Sequence, residues 1–526
     1  MNTKSKASIV LDKLAGIVGQ DYVLTDADSC SLYAQDVFTK DIPALAVVQP
    51  SSTLELSEVV KNATAHNYIT IPRGGGMSYT SGYVPQHENS IIIDMSRMSK
   101  VVEINKEDMY VTVQCGCTWK ALYEALKNTG LRTPCWGTLS GIYATVGGGL
   151  SQNGMFWGSG QFGAIADSVV SMEVVLADGS ILETGAAAQV NGTPFFRHFG
   201  PDLTGLFVGD TGALGFKAQA TFRLMPELTA REYISMDFKT SDDALSTMSE
   251  ISRRGLAMEC FGFDPFLQAQ RKQRESLASD AKALVGFMKS AGSIGQAIKQ
   301  GSKIAFAGRG FMDDVDFSIH AFIEERSTHG AKQCLEEIRA IVKKNNGKEI
   351  ENTIPKILRA NPFGPVNNMV GPQGERWVPV HGQFPHSKVI PAFNAAESIF
   401  NSHKKEMERL NIGVGYLFAV ISTNAFVVEP VFFWQDCLNE LHEKSVESGH
   451  YNKLKKFDEN IEARDTVTRI KNEIAAKFSE LGGVHFQIGK AYAYKEGIKP
   501  TALDLIKRIK ELVDPNRLVN PGSLGL

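Results

Sequence analysis

One short stretch decides how this chain is interpreted, Ile71-Pro72-Arg73-Gly74-Gly75-Gly76-Met77-Ser78. It directly follows an apolar strand candidate at residues 69–72. Three consecutive glycines leave backbone amides unshielded and allow positive φ, so several N–H groups can converge on one anion. Further donors stand in and just after the stretch: Arg73, Ser78, Thr80 and Ser81. Taken alone, the stretch is either a phosphate-binding loop or a tight structural turn.

The glycine spacing excludes two common nucleotide-binding motifs. It is not the G-x-G-x-x-G fingerprint, because the spacing differs and no helical pattern follows at once. It is not a P-loop, because the Gly-Lys-Ser/Thr ending is missing.

A second glycine cluster lies further along the chain. Thr138–Gly141 is followed by Thr145–Ser151 and then by four more glycines at 154, 158, 160 and 163. Such a density of glycine indicates backbone running close against a flat or extended ligand. Two loops of this kind could clasp one long ligand from two sides.

Around these loops the first half of the chain alternates strands and helices. The helix over residues 54–63 is expected to be capped by Ser51 or Ser52, and the helix over 118–128 to close at Gly130. After Pro226, charged helices alternate with short strands as far as residue 480, for example Ser318–Ile323 followed by a helix through Val342. The strand candidates of the first half are residues 46–48, 69–72, 91–93, 111–115 and 169–176.

Length and composition limit the class of protein. A chain of 526 residues is too long for one ordinary core, so two or more domains are expected. Hydrophobic residues at 43%, charged residues at 21% and a net charge of -3 describe a globular protein without the basic face that nucleic acid needs. The seven cysteines are scattered and odd in number, which favours a reducing compartment, and the close pair Cys115 and Cys117 is expected to be buried.

No signal core follows the amino terminus, and no apolar run reaches the roughly 18 residues of a spanning helix. We therefore expect a cytoplasmic protein. The segment Gly286–Gly310, which carries three lysines, is predicted to be a mobile loop or a poorly packed helix. Its alternative, contact with a membrane surface, would make the protein peripheral to the inner membrane.

Five segments together resemble one known family. Arg73–Gly82 resembles the pyrophosphate loop of the vanillyl-alcohol-oxidase-type (PCMH) FAD-binding fold, and Thr145–Gly148 resembles its second flavin-contacting loop. The remaining similar segments follow in the order of the family: Asp167–Gly179, Asp202–Gly215 and Leu512–Gly522.

The resemblance implies an α+β fold in which a two-part PCMH-type FAD-binding domain carries an inserted α/β cap. The implied domains are residues 1–226 for FAD binding, 227–481 for the cap over the substrate, and 482–526 for the return to the FAD-binding domain. The segment Asp202–Gly215 is closest to the D-lactate dehydrogenase and glycolate oxidase branch, with the 4-cresol and vanillyl-alcohol branch as the nearest competitor.

The resemblance also implies the FAD-binding residues. The first glycine loop contains no histidine, which in some relatives bonds the flavin, so we expect noncovalent FAD; attachment through a histidine, tyrosine or cysteine of the cap is the alternative. The implied contacts are Pro72, Arg73, Gly74, Gly75, Gly76, Met77, Ser78, Thr80, Gly82, Thr138, Ser140, Thr145, Val146, Gly148, Gly149, Ser151, Gly163, Val169 and Asn520.

His485 is the first candidate for the proton acceptor that an alcohol oxidation by flavin requires, because histidine titrates near neutral pH. It lies where the cap should return to the FAD-binding domain. The lactate-type branch reads Gly-Glu-His-Gly in this region, whereas Val484 and Phe486 flank the histidine here. The loss of the polar neighbour favours a more apolar substrate than a small hydroxy acid. A packed histidine beside a turn is the alternative.

Two further groups of residues are candidates. His381 and His386 could converge on a metal, but the metal signature of the lactate-type relatives is replaced by Ile421–Ala425, so we predict no metal and leave His381 a role in the substrate pocket or in loop packing. Arg359 could grip a substrate carboxylate with its planar fork, or be a surface arginine. A phenolate would be bound by tyrosines, for which the candidates are Tyr416, Tyr492 and Tyr494; core or rim packing is their simpler interpretation.

The sequence therefore predicts an FAD-linked oxidase or dehydrogenase that takes hydride from the alcohol carbon of a 2-hydroxy acid or of a more apolar alcohol. One alternative is a para-substituted phenol or aromatic alcohol as substrate. Another is a non-redox FAD-dependent transferase similar to alkyl-glycerone-phosphate synthase. The expected partners are a small-molecule substrate and an external electron acceptor (oxygen, a cytochrome or a quinone), without nucleic acid; a homo-oligomer is left open.

Overall fold

The glycine-rich stretch begins at the carboxyl end of a strand in the first of three main sheets. The computed structural model describes residues 6–274 and 315–526, so the segment Gly286–Gly310 lies outside the described residues. The first sheet has the order β1-β2-β4-β3, in which β2, β4 and β3 are parallel. Its strands are β1 Val23–Leu24, β2 Ala46–Val48, β3 Ile69–Arg73 and β4 Ser90–Asp94.

The second sheet is antiparallel and has the order β5-β6-β10-β8-β9. Its strands are β5 Val101–Asn105, β6 Tyr110–Gln114, β8 Val169–Val175, β9 Ile181–Glu183 and β10 Phe216–Arg223. A two-stranded ribbon of β7 Leu131–Arg132 and β11 Met225–Pro226 leads out of this part of the chain.

The third sheet has eight antiparallel strands and lies within residues 227–481, the predicted cap. Its order is β15-β12-β14-β13-β18-β19-β16, with β17 also paired to β19. Its strands are β12 Ala230–Phe238, β13 Glu259–Phe263, β14 Phe317–Glu325, β15 Lys348–Ile350, β16 Arg376–Pro379, β17 Gly382–Phe384, β18 Gly413–Ile421 and β19 Ala425–Trp434.

Helices cover these sheets. They are α1 Lys6–Val18, α2 Ala27–Tyr33, α3 Thr53–Ala65, α4 Trp119–Leu126, α5 Val146–Ser151, α6 Ser159–Phe162, α7 Leu203–Leu206, α8 Ser241–Arg253, α9 Pro265–Arg274, α10 Thr328–Lys344, α11 Thr353–Ala360, α12 Val389–Arg409, α13 Glu440–Ser445, α14 Ser448–Tyr451, α15 Ile461–Glu480, α16 Tyr494–Gly497 and α17 Pro500–Val513. Over the described residues, no helix combines the length and the apolar character needed to cross a membrane.

The two faces of the cap sheet have different neighbours, because successive side chains of a strand point to opposite faces. On β19, Val428 and Phe432 pack in the core that also contains apolar side chains of α8, α10, α12 and α15. Val427 and Val431 pack in a second core, which includes Trp119 of the FAD-binding part. The second face of the cap sheet is therefore the one that covers the glycine loops.

The end of the chain returns to the first sheet. Val519 forms a parallel bridge with Thr70 on β3, and the N–H of Thr70 donates to the Leu518 carbonyl at 2.7 Å. Asn520 donates from Nδ2 to the carbonyl oxygens of Gly82 and Thr211 at 2.8 and 2.7 Å. One side chain at the carboxyl end thus ties together two loops of the amino-terminal half.

Most predicted elements of the first half are present with small shifts of their ends. Ser52 caps α3 by accepting from the Glu55 N–H, and Thr118 caps α4, which ends at Leu126 rather than residue 128. One expectation is corrected: Thr145–Ser151 is not a loop but the capped helix α5, because Thr145 accepts from the Gly148 N–H and Val146 and Leu150 are buried. The domain boundaries at residues 226 and 481 stay a prediction.

The buried pair Lys510 and Asp514 should be essential for the carboxyl-terminal return. Lys510 donates from Nζ to Asp514 at 2.6 Å and to the carbonyls of Ala213 and Val519, and both charged side chains are 1% exposed. Lys510→Met leaves the Asp514 carboxylate buried without its cation and should lower the free energy of unfolding by about 3–5 kcal/mol. Urea unfolding followed by circular dichroism measures this.

The control is Arg508→Met on the same helix, which removes an exposed pair with Asp504. Its cost should stay below about 1 kcal/mol. An equal cost of the two substitutions would contradict the assignment of a structural role to Lys510.

Candidate functional site

The first glycine loop and the start of α5 are in direct contact. A side chain on Gly75 would collide with the carbonyl oxygen of Tyr143, and one on Gly74 with the hydroxyl of Thr145. Gly76 has φ of +71°, which L side chains rarely adopt. Among the described residues, no backbone carbonyl accepts from the N–H groups of Gly75, Gly76 or Met77. The loop therefore presents free amides at a place where only glycine fits.

Arg73 adds a positive charge to this loop. Its side chain is buried, and its Nε has no hydrogen-bond partner among the described residues. The guanidinium lies 4.4 Å from the ring centre of Tyr33 and 5.5 Å from that of Tyr83. A buried cation with an unused donor beside free amides fits the FAD pyrophosphate that the resemblance implies.

A cavity begins at these loops and extends to the cap sheet. The predicted FAD contacts that line it are Pro72, Arg73, Gly74, Gly75, Gly76, Met77, Ser78, Gly82, Thr138, Ser140, Thr145, Gly148, Gly149 and Ser151. Both predicted glycine clusters thus face the same cavity. This agrees with the expectation that they contact one long ligand, FAD, from two sides.

The other predicted contacts stand behind the wall. Val146 and Val169 are buried in the second core, and Thr80 bonds through its hydroxyl to Ser78. Gly163, at φ +86°, ends α6, and Asn520 uses its amide to hold the two loops already described. These five support the lining residues rather than lining the cavity themselves.

The cap side of the cavity is almost entirely apolar. It is contributed by β13, β16, β18, β19, α9 and α11, together with the loop before β16. Its hydrophobic lining residues are Phe261, Phe263, Leu267, Leu358, Val366, Met369, Trp377, Leu417 and Val431. A wall of this kind suits an apolar substrate.

Asn368 is a polar residue of this wall, and Glu429 is its charged one. Glu429 lies on β19 opposite Leu417, shares a face with Val427 and Val431, and is 8% exposed. No hydrogen bond or ion pair joins its carboxyl to another described residue, and burial raises the pKa of Glu429 to about 8. Glu429 was not among the predicted site residues, although a single acid within the otherwise apolar run 425–434 is the signal that marks it.

A second missed group is Tyr79, which also lines the cavity. Its hydroxyl accepts from Nε2 of Gln487 at 3.2 Å, and its ring packs edge-on against Trp377 at 5.4 Å. Burial, followed by the charge of Glu429, raises the pKa of Tyr79 well above its ordinary value. The phenol therefore stays neutral and is close enough to Glu429 to be influenced by its charge.

His485 and His381 lie one layer behind the cavity. His485 donates from Nδ1 to the His381 carbonyl at 2.6 Å, its Nε2 is 3.2 Å from the Ser479 hydroxyl, and its ring stacks on Tyr492. His381 is fully buried and stacks on Phe486. Neither histidine lines the cavity, so the interpretation of either as a group that contacts substrate does not fit its placement. Phe486, next to His485, occupies the wall instead.

His381 and His386, the two candidate metal ligands, do not converge: each contacts different residues. His386 lies 3.1 Å from the Thr423 carbonyl, whereas His381 approaches the Tyr492 hydroxyl. Within residues 6–274 and 315–526, no group of three or more His, Cys, Asp or Glu is placed to hold a metal ion. Of the tyrosines, Tyr416 donates its hydroxyl to Glu397 at 2.8 Å and is engaged away from the cavity.

The interpretation of Arg359 as a substrate ligand is corrected by an internal ion-pair cluster. Arg359 is 5% exposed and donates from Nε to Glu324 at 2.5 Å and from Nη2 to Glu227 at 3.1 Å. Arg132 and Arg231 also lie within 3.4 Å of Glu324. The fork of Arg359 is thus occupied by carboxylates of the protein, away from the cavity.

Comparison with known proteins agrees with this geometry. Residues 44–185 match the family model described as FAD binding domain, and residues 453–524 match the model described as FAD linked oxidases, C-terminal domain. The two matched segments contain both glycine loops and the carboxyl-terminal return. They confirm FAD as the cofactor.

Relatives and solved structures extend the comparison. An uncharacterized FAD-linked oxidoreductase, YgcU, of Escherichia coli K12 is 33% identical over 46% of this chain and 51% of its own length. A D-lactate dehydrogenase of Archaeoglobus fulgidus is 31% identical over 40% of this chain and 46% of its own. The matches thus span about half of these curated relatives.

The structure of p-cresol methylhydroxylase with substrate bound superposes with a TM-score of 0.75 at 18% identity, covering 100% of this chain and 98% of that chain. This likeness confirms the predicted PCMH-type α+β fold.

Gly75→Ala tests the contact between the two loops. The added methyl group collides with the Tyr143 backbone and forces the loops apart, which costs about 1–3 kcal/mol and should weaken FAD binding about tenfold or more. Fluorescence titration of the apoprotein with FAD gives the affinity. Gly16→Ala, in open space on α1, is the control and should leave the affinity for FAD unchanged. Equal affinities of the two variants would contradict the proposal that the contact at Gly75 shapes the FAD site.

A second prediction concerns the attachment of the cofactor. No histidine lines the described cavity, and burial raises the pKa of the lining Cys115 thiol to about 12, which keeps it from being a nucleophile. Trichloroacetic acid should therefore release the yellow colour into the supernatant. Colour that stays with the pellet would show a covalent flavin.

Proposed function

We propose that this chain, which carries both domains of the FAD-linked oxidases, oxidises an alcohol carbon of an apolar substrate with Glu429 as the proton acceptor. The observation that carries the proposal is one uncompensated carboxyl in an apolar wall that faces the FAD loops across a single cavity. The D-lactate dehydrogenase among the relatives supports alcohol oxidation as the reaction class.

The reaction divides between cofactor and protein. Bound FAD supplies the acceptor for two electrons and the hydrogen of the C–H bond. The Glu429 carboxylate takes the proton of the substrate hydroxyl, so that a carbonyl forms as the C–H and O–H bonds break. Tyr79, held by Gln487, can hydrogen-bond the same oxygen and orient it. The apolar residues of the cap exclude water from the reacting carbon. An external acceptor then takes the electrons; oxygen, a cytochrome and a quinone are the candidates.

A para-substituted phenol is the second candidate substrate. The observation in its favour is the pairing of Tyr79 with Trp377 at the cavity, which gives an aromatic ring both a stacking surface and a hydroxyl partner. In this case Glu429 would accept the phenolic proton. A third hypothesis is a transferase that uses FAD without net oxidation. Anaerobic bleaching of the flavin absorbance near 450 nm by any alcohol or phenol would exclude it.

Glu429→Gln should leave a yellow, folded protein whose anaerobic flavin reduction by the best substrate of an alcohol and phenol screen is slowed about 100-fold or more. Because the base acts in its ionised form, the wild-type rate should rise with pH through about 8, the pKa of Glu429, while the variant rate stays flat. Stopped-flow absorbance measures both.

The matched control is Glu408→Gln, an exposed carboxylate on α12, which should reduce its flavin at the wild-type rate. His485→Ala is measured beside it, because His485 is the first candidate for the base on sequence grounds. A larger loss in the His485 variant than in the Glu429 variant would return the role to the histidine.

A further inference from the structure

We infer that Glu429 makes the site selective for uncharged substrates and excludes carboxylates, including 2-hydroxy acids. The inference rests on the proposed function and narrows its substrate class. It would separate this chain from the relative that is named as a D-lactate dehydrogenase.

The charges around the cavity are the first argument. Its charged lining residues in the described parts of the chain are Arg73, Lys217 and Glu429. Lys217 is already paired with Asp210 at 2.6 Å, and both side chains are at most 2% exposed. Arg73 belongs to the loop that holds the pyrophosphate. Among the described residues that line the cavity, no cation therefore remains on the cap side to balance a substrate carboxylate.

The pairing of Arg359 with carboxylates of the protein is the second argument. It stands on α11, which contributes Leu358 to the cavity wall, yet its guanidinium is held by Glu324 and Glu227. Releasing it for a ligand would leave two carboxylates without their partner in a buried cluster, which is costly. Arg359, although adjacent in sequence to a residue of the wall, is thus unavailable to an anionic substrate.

Glu429 itself is the third argument. Its carboxyl has no described partner, so a second anion in the cavity would meet an unscreened negative charge in a poorly solvated place. A neutral hydroxyl, in contrast, can donate its hydrogen bond to this carboxylate. Glu429, which would accept the proton, thus also disfavours the binding of anionic ligands.

Of the other titratable groups in this region, Tyr79, Tyr492 and His381 keep their charge near neutral pH, whereas Lys471 titrates in the same range as Glu429. Burial raises the pKa of Tyr79 and of Tyr492 well above neutrality, and burial lowers the pKa of His381 well below it. Lys471 lies beyond His381, and burial lowers its pKa to about 8. A Glu429 variant separates the contribution of the carboxyl from that of this lysine.

Mandelate and its uncharged amide, mandelamide, are suitable probes, because they have the same shape and differ in charge. Their affinities for the oxidised holoenzyme are read from the perturbation of the flavin spectrum, which needs no turnover. At pH 9 the wild type should bind mandelamide about tenfold or more tightly than mandelate, whereas Glu429→Gln should bind both within about threefold. Glu408→Gln should behave as the wild type.

The pH dependence, compared between the wild type and Glu429→Gln, gives a second measurement. The preference for mandelamide should grow as pH rises through about 8, since Glu429 is neutral below this pH and ionised above it. Equal affinities of wild type and Glu429→Gln for mandelate, or no binding of either probe by either protein, would overturn the inference. So would a preference that does not change with pH.

Failure of the proposed function has a different signature. Selective binding of mandelamide without bleaching of the flavin by any alcohol or phenol would refute alcohol oxidation and leave the charge selection in place. Rapid bleaching by mandelate would support oxidation and overturn the charge selection.

Discussion

The whole structure depends on one close approach between two backbones. Gly75 lies so near the Tyr143 carbonyl that any larger residue would separate the first glycine loop from the start of α5. Because the glycine loop touches the segment that leads into α5, the end of β3 at Arg73 and the helix that begins at Val146 lie beside one cavity. The free amides and the buried guanidinium of Arg73 then share one side of it. The proposed FAD site can form because Gly75 has no side chain to keep the two backbone segments apart.

The cap meets this site with a surface set by the two-residue period of its strands. On β19 Val428 and Phe432 face the helices of the cap core, whereas Glu429 and Val431, on the other face of the strand, line the cavity. Glu429 stands at one of the cavity positions, so an acid inside an apolar strand becomes the one charged group of the cap wall among the described residues. A shift of register by one residue would bury it against helices instead. The chemistry of the site is thus fixed by strand pairing.

The sequence signals the proposed FAD-binding loops more clearly than the proposed substrate pocket, for a physical reason. Loops such as Gly74–Gly76 leave a local signature, because their residues must allow positive φ and close backbone approach. The groups at the substrate come from distant strands, and only tertiary pairing shows which side of β19 faces the cavity. His485 illustrates the limit. Its position in the chain was close to the cavity wall, but the wall is formed by its neighbours Phe486 and Gln487. Arg359 failed for the same reason, since its partners lie on β14 and before β12.

The amide of Asn520 has a consequence for the order in which the molecule is assembled. It fixes Gly82 and Thr211, two loops that a ribosome would complete long before residue 520 is added. The whole cap is synthesised in the interval, so the loops that contain Gly82 and Thr211 lack these hydrogen bonds until residue 520 is added. Contacts of such long sequence separation form slowly. The hydrogen bonds of Asn520 are therefore expected to form late in folding, after residue 520 has been synthesised.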